Sequence, residues 1–580
     1  MSRRGSRLFL LPCPRRVRRG LVDGGRDRRS IGPLVRALVR ALVAMADAAR
    51  AREAVRECHR PHSSAQAKQE AHRVLEAAKE TDVGRGWAVG MELAAHEEDL
   101  EVRHFAYGLL MHMVKHKYKS ADWNTRERIQ QNSKTALAQV GNQTDQPYAI
   151  KSKCAQLVAE VAKQDVDAWT GLLGPLFEYA QCGPTQAECV SMVFQRLPEE
   201  VVDGSDDLHA FEKRELLATL TASLPDVLQL LYRIVEGNFS QAVQRIQHGD
   251  QEAGRLHAAA VNAGLRALLA YASWAPVSML AKHGILEACS FFLTTSEFQV
   301  PACTILKEAS SRKCAPAEAK EDHAEAIRKL FQVSCLACGQ NLTESSRADD
   351  EYIAILCDVI ATLGASHFGL LVEPESRASF LQQLLAVARH PSFSLSNVSL
   401  PAWNAILREA RANATVCGMV PEGCPEALIE VAGAKLSAKL DEDSLPTEFD
   451  SLEEFKEFFS VYKSRLLELI KHCSALKPQA AAQACAMRVA KIQRDIEEGN
   501  VALESLVGDW DAVASFLESV CSAVPEEVLR PMSIESMAVS FDCILDQLLG
   551  LQVADATLIA QVSCRHCVAV ASLVFHMTNM

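Results

Sequence analysis

No run of strict apolar and polar alternation bounded by turn residues occurs in the 580-residue chain, so a β-sheet core is not expected. No run of about 18 apolar residues free of charge occurs either, which excludes an obvious transmembrane helix and, with it, an expected membrane partner. The middle of the chain has no long stretch rich in Pro, Gly or Ser of the kind that separates independent domains. Walker sequences, nucleophile elbows and paired catalytic carboxylates do not stand out, so the chain is not read as an enzyme and no cofactor is expected.

What the chain does have is apolar spacing of helical period. Val102, Phe105, Ala106, Leu109, Leu110, Met113 and Val114 follow the i, i+3, i+4, i+7 pattern of a helix burying one face. Leu217, Leu220, Leu224, Val227, Leu228 and Leu231 repeat it, as do Ile353, Leu356, Cys357, Ile360 and Leu363. The pattern predicts an all-α, HEAT-type α-solenoid, an armadillo-like superhelix of antiparallel helix pairs. At about 40 residues per pair, roughly a dozen pairs fit after the N-terminal tail, each burying its apolar face against its neighbours.

Helices are expected near residues 65–80, 87–96, 98–118, 124–140, 148–164, 169–181, 185–197, 208–235 and 253–273. They continue near 284–294, 320–338, 349–365, 376–388 and 401–416, with another through Phe455, Phe458 and Phe459. Thr125 is the expected cap of the fourth helix, and Pro225 an expected kink or boundary. From Asp441 to Glu454 the chain carries seven acidic residues and no basic one. This reads as a solvated connector with an acidic helix start, or as a contact for a basic partner.

The formal charge of −12 conceals two regions of opposite sign. Residues 1–40 carry 12 Arg and 2 Asp, a balance of +10, and the other 540 residues are acidic at −22. An acidic body excludes phosphate binding over the whole surface and confines any nucleic-acid contact to a local basic strip. The Arg-rich start suits a disordered extension, sequence upstream of a start at Met45, or a targeting segment. The 19 Cys are scattered, and Cys154, Cys289 and Cys357 sit within apolar helical patterns, as buried reduced thiols do.

Several clusters invite a chemical reading. Arg103, Lys115, Lys117, Lys119, Arg126 and Arg128, with His104, His112 and His116, form either a footprint for an acidic partner or a solvated helix face. His112 and His116 stand at i, i+4 without an intervening general base, so they lack the zinc-protease pattern. The two CxxC pairs, Cys335/Cys338 and Cys564/Cys567, read as buried helical thiols because 229 positions of helical repeat separate Cys335 from Cys564. Gly84, Gly86 and Gly90 mark a helix boundary rather than a dinucleotide loop. No metal ligand or catalytic residue is assigned.

The run Val102-Arg103-His104-Phe105, then Leu109-Leu110, His112, Lys115 and Asn132-Ser133, resembles the second N-terminal repeat of the β-karyopherins, and among these the exportin-5 and HASTY family. Further blocks agree in order. They are Gly183 with Thr185-Gln186 through Val201-Val202; Ala260 to Leu265 with Tyr271, Trp274, Val277 and Ser278-Met279; and Ser311-Arg312-Lys313. His390-Pro391-Ser392 with Trp403, and Phe449-Asp450-Ser451 through Phe458-Phe459, complete the series. Val166-Asp167-Ala168-Trp169 departs from the family in keeping one Trp and no adjacent Pro.

The resemblance implies a nuclear export receptor that shuttles between nucleus and cytoplasm. Its implied partners are Ran in its GTP form, hairpin RNA such as microRNA precursors, and nuclear pore proteins. It implies Ran-binding, importin-β-like repeats over 45–200 and exportin repeats over 201–580, preceded by the extension 1–44. A HEAT scaffold without Ran dependence, or an exportin of protein or transfer-RNA cargo, is the other reading; individual Ran and RNA contacts are unknown. The matching blocks belong to the family's N-terminal half, and Val568 to Phe575 is apolar without a charged cap, so a truncated array is expected. Extending the chain with a polar capping helix should therefore raise its solubility, as read by sedimentation of the two proteins; equal solubility counts against truncation.

Overall fold

The computed structural model describes residues 28–95, 98–203, 210–316, 318–347, 350–438, 444–498 and 503–524. Among the described residues the regular structure is helical and no strand occurs, as the apolar period predicted. The chain divides into two compact units, one of residues 1–140 and 145–168, the other of residues 141–144 and 169–580.

The first unit holds α1 (Arg28–His59), α2 (Ala65–Glu80), α3 (Val83–Leu93), α4 (Leu100–Lys117), α5 (Trp123–Gly141) and α6 (Tyr148–Gln164). α1 packs on α2, α3 and α4, and α4 packs on α6. α1 runs through residue 44, where the expected extension 1–44 ends. Ala48, Ala51 and Val55 of α1 share a core with Leu75, Val89, Leu93, Val102 and Met113. Arg85 binds Asp47 at 2.6 Å and Arg56 binds Asp99 at 2.7 Å, which ties α1 to α3 and to the start of α4.

Several expected boundaries move for reasons of capping. Asp82 accepts from the Arg85 amide at 3.0 Å, so α3 starts four residues earlier than expected. Asp122, not Thr125, caps α5, accepting from the Thr125 amide at 2.8 Å. Gly86 and Gly90 lie inside α3 rather than at its boundary, where α4 comes close: a Cβ on Gly90 would stand 2.6 Å from Cδ2 of the fully buried Leu110.

The second unit takes most of α7 (Val166–Ala180), then α8 (Pro184–Pro198), α9 (Ala210–Gln247), α10 (Gln251–Ala272), α11 (Val277–Lys282), α12 (Ile285–Phe292) and α13 (Gln299–Ser311). α14 (Lys320–Asn341), α15 (Glu351–His367), α16 (Pro374–Arg389), α17 (Phe393–Ala412), α18 (Ala414–Cys417), α19 (Gly423–Leu436), α20 (Leu452–Leu476), α21 (Pro478–Glu498) and α22 (Leu503–Cys521) follow. α9 is continuous through Pro225, which is therefore no boundary. α17 starts at Phe393, not 401, because the Ser392 hydroxyl caps it and Pro401 is carried inside the helix. The short α11 and α18, and α13, α19, α21 and α22, were not anticipated.

The packing is that of a repeat array. α10 packs on α8 and α13, and the series continues α13 on α15, α15 on α17, α17 on α20 and α20 on α22. A second layer stacks α9 on α12, α12 on α14, α14 on α16, α16 on α19 and α19 on α21. Each helix thus meets its successor in the same layer and its partner in the other, so apolar surface is buried only between neighbouring pairs. Gly284, with φ of 73°, supplies the left-handed turn that lets α12 follow α11 directly.

Residues Glu351–Leu370 are long and apolar enough to cross a membrane by length and composition, with a mean hydropathy of 1.7, although Glu351 and Asp358 break the apolar run. This segment is a core element here: Ile353, Leu356, Ile360 and Leu363 are buried, and its Asp358 pairs with Lys307 at 2.6 Å. The acidic stretch 441–443, Cys564, Cys567 and the apolar run 568–575 lie outside the described residues.

Gly90→Ala is expected to cost about 1–3 kcal/mol by forcing a methyl group against buried Leu110. Gly108→Ala on α4, where a Cβ meets nothing within 4 Å, should be neutral or stabilise by up to about 1 kcal/mol. Urea denaturation midpoints of the two variants read the difference.

Candidate functional site

The basic cluster of the first unit is largely committed to packing. Arg103 is buried on α4 and donates to Gln146 at 2.6 Å. Lys115 and Lys163 approach the fully buried Glu160 at 3.7 and 3.3 Å, supplying the positive charge that a desolvated carboxylate requires. Lys117 donates to the Lys79 and Thr81 carbonyls at 2.6 Å each, capping the end of α2. Arg126 donates to the Ala121 and Lys119 carbonyls and lies over the Tyr118 ring. Lys119 and Arg128, with His104 and His116, are the exposed members. The footprint reading thus shrinks to these, since the other cations fold the unit.

His112 and His116 do lie together on one helix face, with ring centroids 4.6 Å apart and planes tilted by 53°. Burial, then the neighbouring His116, lowers the pKa of His112 and favours its neutral ring. Cys335 and Cys338 lie on α14, and burial pushes both thiols up to about 12, so they remain protonated packing groups.

In the second unit, separate family-like blocks of the sequence come together at repeat junctions. At the first of these, Arg312 reaches back from the end of α13 and donates to the Ser273 and Trp274 carbonyls at 2.7 and 2.9 Å. Beside it Glu318 accepts from the Ser278 amide at 2.9 Å, the Ala315 amide at 3.1 Å and His323 Nδ1 at 3.1 Å. Burial of the Glu318 carboxyl would raise its pKa, but these hydrogen bonds outweigh it and hold the group below the usual carboxylate range.

At the second junction, Glu448 of the acidic loop accepts from the Phe393 and Ser394 amides at 2.7 and 3.4 Å and from the Ser392 hydroxyl. It caps α17 in place of a solvated loop contact and puts a negative charge at the positive end of the helix. Phe393 meets Phe455, Phe459 and Tyr462 of α20, and Ser396 bonds the Tyr462 hydroxyl at 2.8 Å. Lys435 donates to the His390 and Pro391 carbonyls at 2.6 and 3.0 Å and stands 4.7 Å from the Phe393 ring centroid. Burial lowers the Lys435 amine to about 8. A cavity of about 760 Å³ opens beside this junction, lined by Ser345, Ser346, Arg347, His390, Thr447 and Glu448 among others.

Paired helices stacked in two layers, with side chains of one repeat capping helix ends of another, define a HEAT-repeat protein. A family model described as Exportin 1-like protein matches residues 147–306, and one described as the Exportin-5 family matches residues 347–579. Over these stretches the chain is similar to the exportin-5 and HASTY family. Protein HASTY 1 of Arabidopsis thaliana is 28% identical over 475 residues, covering 74% of this chain and 39% of the relative. Exportin-5 of Homo sapiens is 24% identical over 494 residues, 78% of this chain and 40% of the relative. Exportin-5 of Dictyostelium discoideum is 22% identical over 466 residues, 77% and 40% respectively. The chain spans about two-fifths of the length of the curated relatives it matches.

Sequence reasoning passed over Glu448, Arg312 and Glu318 as individual residues. Arg312 lies within a visible block and Glu318 and Glu448 lie close to one, but their partners lie some 38 to 56 positions away, where no local pattern announces them. Glu448→Ala should destabilise the chain by about 1–2 kcal/mol, through loss of the α17 cap and of a charged acceptor. Thermal unfolding followed by circular dichroism measures it, with the exposed Glu453→Ala as a control expected to stay within about 0.5 kcal/mol.

Proposed function

We propose that this chain acts as a nuclear export receptor that binds Ran in its GTP form together with structured RNA such as a hairpin microRNA precursor. The observation that carries the reading is the agreement of an Exportin-5 family match over residues 347–579 with repeat junctions built from residues of that same stretch. Ran falls to the N-terminal repeats, residues 45–200, extended here to the start of α1 at Arg28. The exportin repeats of residues 201–580 would carry cargo and meet nuclear pore proteins. An array of stacked pairs suits duplex RNA, which is recognised by A-form shape and phosphate position more than by base sequence. Ran and cargo then bind with positive coupling, each reducing the ordering cost of the other. Hydrolysis of GTP on Ran, not on this chain, would end the cycle, and the receptor would shuttle between nucleus and cytoplasm.

One observation favours a second reading. The body is acidic, and the cations of Arg103, Lys115, Lys117 and Arg126 are spent on internal contacts, which suits protein cargo or a Ran-independent scaffold better than RNA. The two readings separate in a pull-down of the full chain with Ran loaded with GTP or GDP, each with and without a hairpin RNA carrying a 3' overhang. GTP-dependent capture strengthened by RNA is the expected result. Nucleotide-blind capture supports the scaffold, and GTP-dependent capture indifferent to RNA supports protein cargo.

A further inference from the structure

We propose that Cys314, Glu318 and His323 form a zinc site at the junction of α11, α13 and α14. The three supply one sulfur, one carboxylate oxygen and one imidazole nitrogen, all within 4.8 Å of one another. They fall within ten residues, as Cys-x3-Glu-x4-His, so a single loop and the first turn of α14 present the whole set. Two side chains are already fixed: Glu318 and His323 are 2% and 6% exposed, with Oε2 and Nδ1 3.1 Å apart. Oxygen and nitrogen ligands each about 2.0 Å from a tetrahedral zinc stand about 3.3 Å from one another, so this pair is already at ligand spacing.

Outer contacts hold the ligands as a zinc site needs. The Ser278 amide fixes Oε1 of Glu318 and the Ala315 amide fixes Oε2, so the carboxylate is oriented independently of the metal. Cys314 is exposed, and its thiol makes only long contacts of 3.7 Å to the Ala315 and Glu318 carbonyls. Its sulfur turns inward at little cost. Zinc replaces the thiol proton and takes the place of the hydrogen between Glu318 and His323 Nδ1, the ring then carrying its proton on Nε2, and water fills the fourth position. The mixed donor set suits zinc over calcium or magnesium, which take oxygen alone. The bound ion would clamp the loop after α13 to the residue that caps α11, making this repeat junction metal-dependent.

The test uses the full chain stripped with a chelator and titrated with cobalt(II) as the spectroscopic probe. The expected result is a thiolate-to-cobalt charge-transfer band with the visible bands of tetrahedral coordination, both abolished by zinc. Cys314→Ser should remove the charge-transfer band and weaken zinc binding by more than about tenfold, since loss of an outer partner alone costs about 10–100-fold. Cys182→Ser and Cys417→Ser, which remove other exposed thiols, should leave the band intact. Absence of the band, or its survival in Cys314→Ser, overturns the proposal. The outcome is independent of Ran and RNA, so it stands or falls apart from the transport reading.

Discussion

The constraint on which this structure depends is that repeats leave helix ends whose backbone groups must be satisfied by side chains of a neighbouring repeat. An α-helix exposes about four amides at one end and four carbonyls at the other, and burying such an end without a partner costs about 1–3 kcal/mol per group. Charged side chains one repeat away answer this need. Lys117 reaches back 38 positions to the end of α2, Arg312 back 39 to the end of α10, and Glu318 back 40 to the start of α11. Lys435 and Glu448 serve the same loop before α17 from 45 and 55 positions further on. Separations near 40 are those of a HEAT repeat, so the capping has the period of the fold. A hydrogen bond to a charged group contributes about 1.5–3 kcal/mol, more than one between neutral groups. Apolar stacking supplies most of the stabilisation between neighbours, and these contacts fix the register in which neighbours stack.

Charge that does this work is withdrawn from the surface, which bears on how the sequence could be read. The helical period of Val102 to Val114, and of Ile353 to Leu363, was legible because burial of one face imposes a local pattern. The fate of Lys115 or Lys117 was not, since a lysine aimed at Glu160 and one aimed at solvent look alike in sequence. The acidic loop shows the same limit: Glu448 is one carboxylate among seven, and only the approach of the α17 amides distinguishes it. α1 was hidden for another reason. Its alanines Ala44, Ala48 and Ala51 pack closely but carry a weak hydrophobic signal beside a run of arginines.

The family blocks can now be sorted by what they do. His390-Pro391-Ser392 and Phe449-Asp450-Ser451 with Phe455 are two halves of one junction, and Trp274 with Ser278 and Ser311-Arg312 are two halves of another. What resembles the family most visibly is the means of joining repeats.

This limits what the resemblance carries. A surface that recognises RNA or a protein cargo is built from exposed residues whose partners lie outside the chain, and no intramolecular contact constrains them. Selection on a junction acts through stability, whereas selection on a cargo surface acts through affinity, and the two need not diverge at the same rate. Two arrays with the same junctions can therefore present faces of opposite charge. In this chain the first forty residues are strongly basic and the remainder acidic, and Arg103, Lys115 and Lys117 of α4 are engaged in contacts within the fold. Cargo preference thus depends on the distribution of unpaired charge across the exposed helix faces, a property that follows from neither the repeat count nor the quality of the junctions.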